Sequence, residues 1–128
     1  MYDLEEIKKH CTPMMATYIE TKLQNEDCIL FYRLGDFYEM FFDDALKASK
    51  LLDLTLTGKD CGMDTRAPMC GIPYHAAEQY IAKLVSVGEK VAVCEQLDAP
   101  QKGKLVDRGI VRIVTAGTVT EDGNLEKN

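Results

Sequence analysis

No apolar run in this sequence approaches the ~20 residues that a membrane-spanning helix needs. The opening stretch, MYDLEEIKKH, is charged and no apolar segment follows it, so it does not read as a signal peptide and a cytoplasmic location is the default expectation. There is no C-x-x-C pair: Cys11, Cys28, Cys61, Cys70 and Cys94 are scattered, odd in number, and spaced for neither a disulfide framework nor a zinc site. Reduced, mostly buried thiols are expected. The two histidines, His10 and His75, sit in no ligand cluster. Neither G-x-G-x-x-G nor G-x-x-x-x-G-K-[ST] occurs, which removes dinucleotide binding and P-loop NTP hydrolysis as readings of this chain. A basic excess is missing too. The net charge is −6, whereas nucleic-acid-binding domains are usually basic, so any DNA-facing surface would have to be local.

What is present suits one domain. The chain has 128 residues and is 46% apolar, enough to build a core. Charge is uneven along it. Asp36, Glu39, Asp43 and Asp44 are four acids without a base, while Lys102, Lys104, Arg108 and Arg112 crowd one stretch with the single acid Asp107.

Thr12-Pro13 reads as a helix start, Thr as N-cap and Pro at the first helical position, for a helix over 14–24. CILFYRL (28–34) reads as a buried strand, and Gly35-Asp36 as a turn. Asp36 and Glu39 have capping-box spacing, which predicts a helix from Phe37 to about Leu52 with Phe41, Ala45, Ala48 and Leu52 on its apolar stripe. LDLTLTG (52–58) alternates like a strand, and 59–68 reads as a loop. MCGIPY is a short strand candidate interrupted by Gly71 and Pro73. A helix is expected over 75–87 with Gly88 at its C-terminal cap. KVAVCEQL and RGIVRIVT read as strands, antiparallel to each other, with DAPQKGK a loop between them. AGTVTEDGNLEKN reads as a linker. Alternating strands and helices predict a single α/β domain, a mixed β-sheet flanked by helices.

Catalysis finds little support. Cys70 and His75 are close in sequence, but nothing organises them as nucleophile and base. A metal-dependent nuclease would need converging carboxylates. Glu95 at a strand end is a candidate, and Asp43 and Asp44 on a helix face read better as solvated acids. The cluster FYRLGDFYEMFFDDA (31–45) admits two readings. Phe37 could begin the core stripe while Glu39 closes the capping box. Alternatively, Phe37 could be an aromatic wedge that unstacks a base step from the minor groove, with Glu39 placed to accept a hydrogen bond from the displaced base.

FYRLGDFYEMFFDDA strongly resembles the start of the MutS family of bacterial DNA mismatch-recognition proteins, whose F-Y-x-x-G-D-F-Y-E pattern carries a Phe-x-Glu motif matched here by Phe37-Tyr38-Glu39. TPMM (12–15), PMCGIPYHA (68–76), VAVCEQ (91–96) and VRIVTAGT (111–118) resemble further family segments in the family's order, so the likeness runs from about Thr12 to Thr118. One departure is Ala116, where the family usually has Pro in T-P-G-T, a change expected to alter only local loop stiffness.

The resemblance implies a mismatch-recognition domain over 1–118, with 119–128 starting the connection to a next domain. It implies double-stranded DNA with mispairs or small loops as the partner. Phe37 would stack on a mispaired base and Glu39 would hydrogen-bond to it on bent DNA. Arg66, Lys102, Lys104 and Arg108 are candidates for phosphate contacts, and Met69, Tyr74 and Gln96 for lining the groove. Tyr38 and Phe41 are assigned to the core. In the family, ATP and Mg belong to a distant ATPase domain, so no cofactor, metal or enzymatic activity is expected of this chain. A homodimer and a MutL-type repair partner are expected of the full-length protein, and no membrane. The alternative is a non-catalytic interaction module that binds other DNA structures, or no DNA.

Overall fold

The computed structural model describes residues 1–97, 103 and 107–119. A seven-stranded sheet runs in the order β3-β4-β2-β1-β5-β6-β7, with β1 Cys28–Leu34, β2 Phe37–Phe41, β3 Thr57–Lys59, β4 Ala67–Pro73, β5 Lys90–Gln96, β6 Arg108–Thr115 and β7 Thr118–Val119. Only β1 and β5 pair in parallel, and every other neighbour is antiparallel. The helices are α1 Leu4–Lys8, α2 Pro13–Leu23, α3 Phe42–Leu52 and α4 Ala77–Ser86, the last preceded by a 3-10 turn, Tyr74–Ala76. The expected mixed sheet with flanking helices is therefore the observed one. Among the described residues no helix is long and apolar enough to cross a membrane.

Because side chains alternate along a strand, the sheet has two apolar faces. Ile29, Phe31, Tyr38, Met40, Ile72, Val91 and Val93 pack against Ala45, Ala48 and Leu52 of α3 and Ile81 and Leu84 of α4. Leu30, Tyr32, Phe41, Ala92 and Cys94 pack on the other face against Met15, Tyr18 and Ile19 of α2. Thr12 caps α2 as expected, its hydroxyl accepting from the Met15 amide at 3.4 Å. Gly88 follows α4 with φ +92°, the left-handed geometry that ends a helix.

The largest departure lies between residues 35 and 58. No capping box forms at Asp36. Gly35 and Asp36 make a two-residue hairpin turn that leaves Leu34 opposite Phe37, and β2 replaces the first turn of the predicted helix. Gly35, at φ +61°, occupies the first central position, the place where a two-residue hairpin favours glycine. The helix starts only at Phe42, itself at φ +56°, a left-handed kink that joins β2 to α3 without a loop. Phe41 therefore belongs to the α2 face of the sheet, whereas Ala45, Ala48 and Leu52 line the opposite face.

The predicted strand over 52–58 is also corrected. Leu52 ends α3, Asp53 takes a left-handed cap at φ +56°, and only Thr57–Lys59 pairs, with β4. The polar tail begins with a turn at Ala116-Gly117 that folds β7 back onto β6, and residues 120–128, where the start of a linker is expected, lie outside the described residues.

Asp44 corrects the solvated-acid reading. It is 7% exposed and paired with Lys22 at 2.9 Å, and its second oxygen accepts from the Leu30 amide at 2.9 Å. Lys22 Nζ also donates to the Cys28 carbonyl. Burial pushes the Asp44 carboxyl above its ordinary value, against the pull of the Lys22 ammonium. One ion pair thus ties α2, β1 and α3 together. Four of the five cysteines are buried and all are free thiols.

Candidate nucleic-acid interface

Phe37, Glu39 and Phe41 share one face of β2 by alternation, but α2 covers only the Phe41 end. Phe41 is 1% exposed and its ring meets Tyr18 edge-on at 4.8 Å. Phe37, four residues earlier at the hairpin tip, is 44% exposed. Tyr38 points the other way, into the core beneath α3 and α4.

Glu39 is half-buried beside Gly71 of β4. A Cβ on Gly71 would lie 3.4 Å from both Phe37 Cδ2 and Glu39 Cγ, and 3.3 Å from the Tyr38 carbonyl oxygen. A side chain at this position would sit in contact with both the Phe37 ring and the Glu39 stem, which lie side by side across the strand. Lys59, from the short edge strand β3, reaches Glu39 Oε1 at 3.4 Å. Three of the four acids of 36–44 are engaged: Glu39 has Lys59, Asp44 has Lys22, and Asp43 accepts from the Tyr2 amide.

The remaining sequence candidates divide by position. Met69 pairs with Phe41 across β2 and β4 and packs against the α2-face core. Gln96 closes β5 opposite Arg108 on β6, with the same parity as Cys94 on that face. Arg108 lies over the Tyr32 ring at 5.0 Å and donates to the Arg33 carbonyl at 2.9 Å. Burial pushes the Tyr32 phenol up, opposed by the Arg108 guanidinium. Arg66 is at the β3 edge, donating to the Gly58 carbonyl at 3.2 Å, and its parity is that of the opposite face. Tyr74 is 45% exposed but stands against Arg33, 4.0 Å from its guanidinium, with the parity of Tyr38 rather than of Phe37. Lys102 and Lys104 lie outside the described residues. The structure thus gathers Phe37, Glu39, Met69, Gln96 and Arg108 on one face and sets Tyr74 and Arg66 on the other.

Sequence reasoning missed Lys59 and Gly71 as parts of this surface. Glycine inside a strand signals close approach of another group, so Gly71 was findable. Lys59 carried no local signal. Glu95, once a candidate metal carboxylate, is instead engaged by Arg33 at 3.0 Å and by the Tyr38 hydroxyl. Among the described residues no three His, Cys, Asp or Glu side chains converge as a metal set.

Residues 12–123 match the family described as MutS domain I. The chain belongs to that family. Its relatives include proteins named DNA mismatch repair protein MutS from Clostridium botulinum (strain Hall), 62% identical over 118 residues, and from Acetivibrio thermocellus, 62% identical over 117 residues. Each alignment covers 91% of this chain and 13% of the relative, so the chain spans a small part of the proteins it matches. Within this MutS domain I, the hairpin tip presents an exposed ring beside a half-buried, paired carboxylate.

Proposed function

We propose that this MutS domain I reads mispairs and small unpaired loops in double-stranded DNA from the minor groove, with Phe37 as the wedge and Glu39 as the group that hydrogen-bonds the displaced base. The observation that carries this reading is the exposure of Phe37 at a hairpin tip, beside Glu39, in a chain whose other three phenylalanines are buried. A mispaired base loses less on unstacking than a paired one, so a wedge discriminates by deformability. Kinking a step costs roughly a few kcal/mol. Stacking on an aromatic ring returns about 1–3 kcal/mol per base whatever the base is. A ring is therefore suited to a reader that must accept many mispairs in a groove with a degenerate chemical code.

Lys59 offsets the repulsion between Glu39 and the phosphates, which makes a carboxylate tolerable there. Arg108 and Gln96 extend the same face toward the duplex. The parent protein's homodimer, its ATP- and Mg-dependent ATPase domain and a MutL-type partner belong to this same proposal.

The test is binding of a labelled duplex with one G·T mispair, and of its matched control, at low salt, by this chain and by Phe37→Ala. A mispair preference present in the parent and lost in the folded variant supports the reading. Equal binding of both duplexes by both proteins overturns it, returns Phe37 to a packing role and favours an interaction module of another kind.

A further inference from the structure

Behind the exposed ring, on the face turned toward α3 and α4, a polar cluster grips the hairpin turn. Arg33 Nε donates to the Gly35 carbonyl at 2.6 Å, and its Nη1 meets Glu95 Oε1 at 3.0 Å. The other Glu95 oxygen accepts from the Tyr38 hydroxyl. The guanidinium lies 4.0 Å from the Tyr74 ring centre and 5.7 Å from that of Tyr38. The Tyr74 amide in turn donates to the Asp36 carbonyl at 2.8 Å. Both turn residues are exposed, yet each has its carbonyl held by a group from outside the turn. One anchor leads through Arg33 to β5, and the other leads to the end of β4.

We infer that Arg33, braced by Glu95, Tyr38 and Tyr74, is a positioning residue that locks the Gly35-Asp36 turn and so fixes the direction of Phe37 and Glu39. The inference rests on the wedge reading above and adds the device that makes a wedge effective. A ring at the end of a free two-residue turn would deflect when pressed into a base stack, and ordering it on contact would consume binding free energy. Holding both turn carbonyls places that ordering in the free protein.

Arginine suits the role and lysine does not. The planar fork reaches Gly35 and Glu95 at once while its face rests on Tyr74, and an ammonium has no such face and no fixed fork. The cluster is assembled from residues 33, 38, 74 and 95, which are distant in sequence, so it is a property of the folded sheet.

Arg33→Lys is the test, read in two ways on this chain. The first readout needs no DNA. Amide hydrogen exchange at Tyr74, whose N–H bonds the turn, is compared with that at Leu30 in the sheet centre. We expect exchange at Tyr74 to quicken at least tenfold while Leu30 is unchanged. A merely structural role would instead alter both amides together, or neither, and either result overturns the inference. The second readout is the ratio of affinities for mispaired and matched duplex, which should fall several-fold with matched binding unchanged. Loss of folded protein would weaken both duplexes equally and leave the ratio intact, and an intact ratio with faster Tyr74 exchange also overturns the inference. Phe37→Ala runs alongside. If that variant keeps the parent's preference, the wedge reading fails by itself; in that case, or if the parent binds neither duplex because it needs the remaining domains, Tyr74 exchange alone decides the positioning role. Should Arg33→Lys not fold, Tyr74→Ala is used and read at the Phe37 amide in the same two ways.

Discussion

Phe37 and Phe41 are the same residue type four positions apart, and the structure gives them opposite surroundings. Phe41 sits in a closed aromatic contact with Tyr18, so Phe41→Ala should destabilise the fold by about 3–5 kcal/mol in urea unfolding. Phe37 leaves much of its ring in water, so Phe37→Ala should cost under about 1 kcal/mol in the same measurement. A large loss from Phe37→Ala would place that ring in the core and remove the basis of the wedge. Gly71 is the third residue in this comparison. An added methyl there meets the Phe37 ring, the Glu39 stem and a backbone oxygen at 3.3–3.4 Å. Gly71→Ala is expected to leave the global fold intact and to reduce mispair preference, checked by urea unfolding and by the paired-duplex binding ratio. Glu39→Gln keeps the shape and loses the charge that Lys59 balances. It should weaken discrimination more than affinity in the same binding measurement.

At the scale of elements, the Lys22–Asp44 pair joins α2 to α3 and pins the Leu30 amide of β1. Removing one partner leaves the other charge buried and unpaired, which typically costs about 3–5 kcal/mol. Asp44→Ala should therefore be among the most destabilising single changes in the chain, with a lower urea midpoint and an unchanged denaturant slope. The outcome would be near neutral if Asp44 were the solvated acid that its sequence neighbourhood suggests. That neighbourhood misleads for a physical reason. The residue lies in the first turn of a helix, where acids are common because they complement the helix dipole. Whether such an acid faces water depends on what packs across it. The predicted capping box fails similarly. Asp36 and Glu39 have its spacing, but strand pairing of 37–39 with β1 and of 37–41 with β4 satisfies backbone groups on two sides, which outweighs one helix cap.

For the whole molecule, the buried thiols give a pH signature. Burial holds the Cys70 and Cys94 thiols at about 11, against an ordinary value of 9.0. Between these values the unfolded chain has lost protons that the folded chain retains. Stability is thus present below pH 9.0 and declines as pH rises toward 11. The urea midpoint should fall across that window, and Cys94→Ala should show a shallower fall from a lower starting stability. In native protein near neutral pH, an alkylating reagent should label Cys11, which is only partly buried, ahead of the other four.

The sequence by itself determined the α/β class, the Thr12-Pro13 helix start, the strands 28–34 and 108–115, the free thiols and the family segments. These depend on local periodicity, cap chemistry and residue order, all of which are written along the chain. Only the tertiary structure decided that 37–41 is a strand, that Asp44 is buried, and that Lys59, Gly71 and Glu39 meet. Each of those outcomes depends on which segments become neighbours across the sheet, and pairing partners separated by tens of residues leave no mark in the local pattern that a helix cap or an alternating run provides.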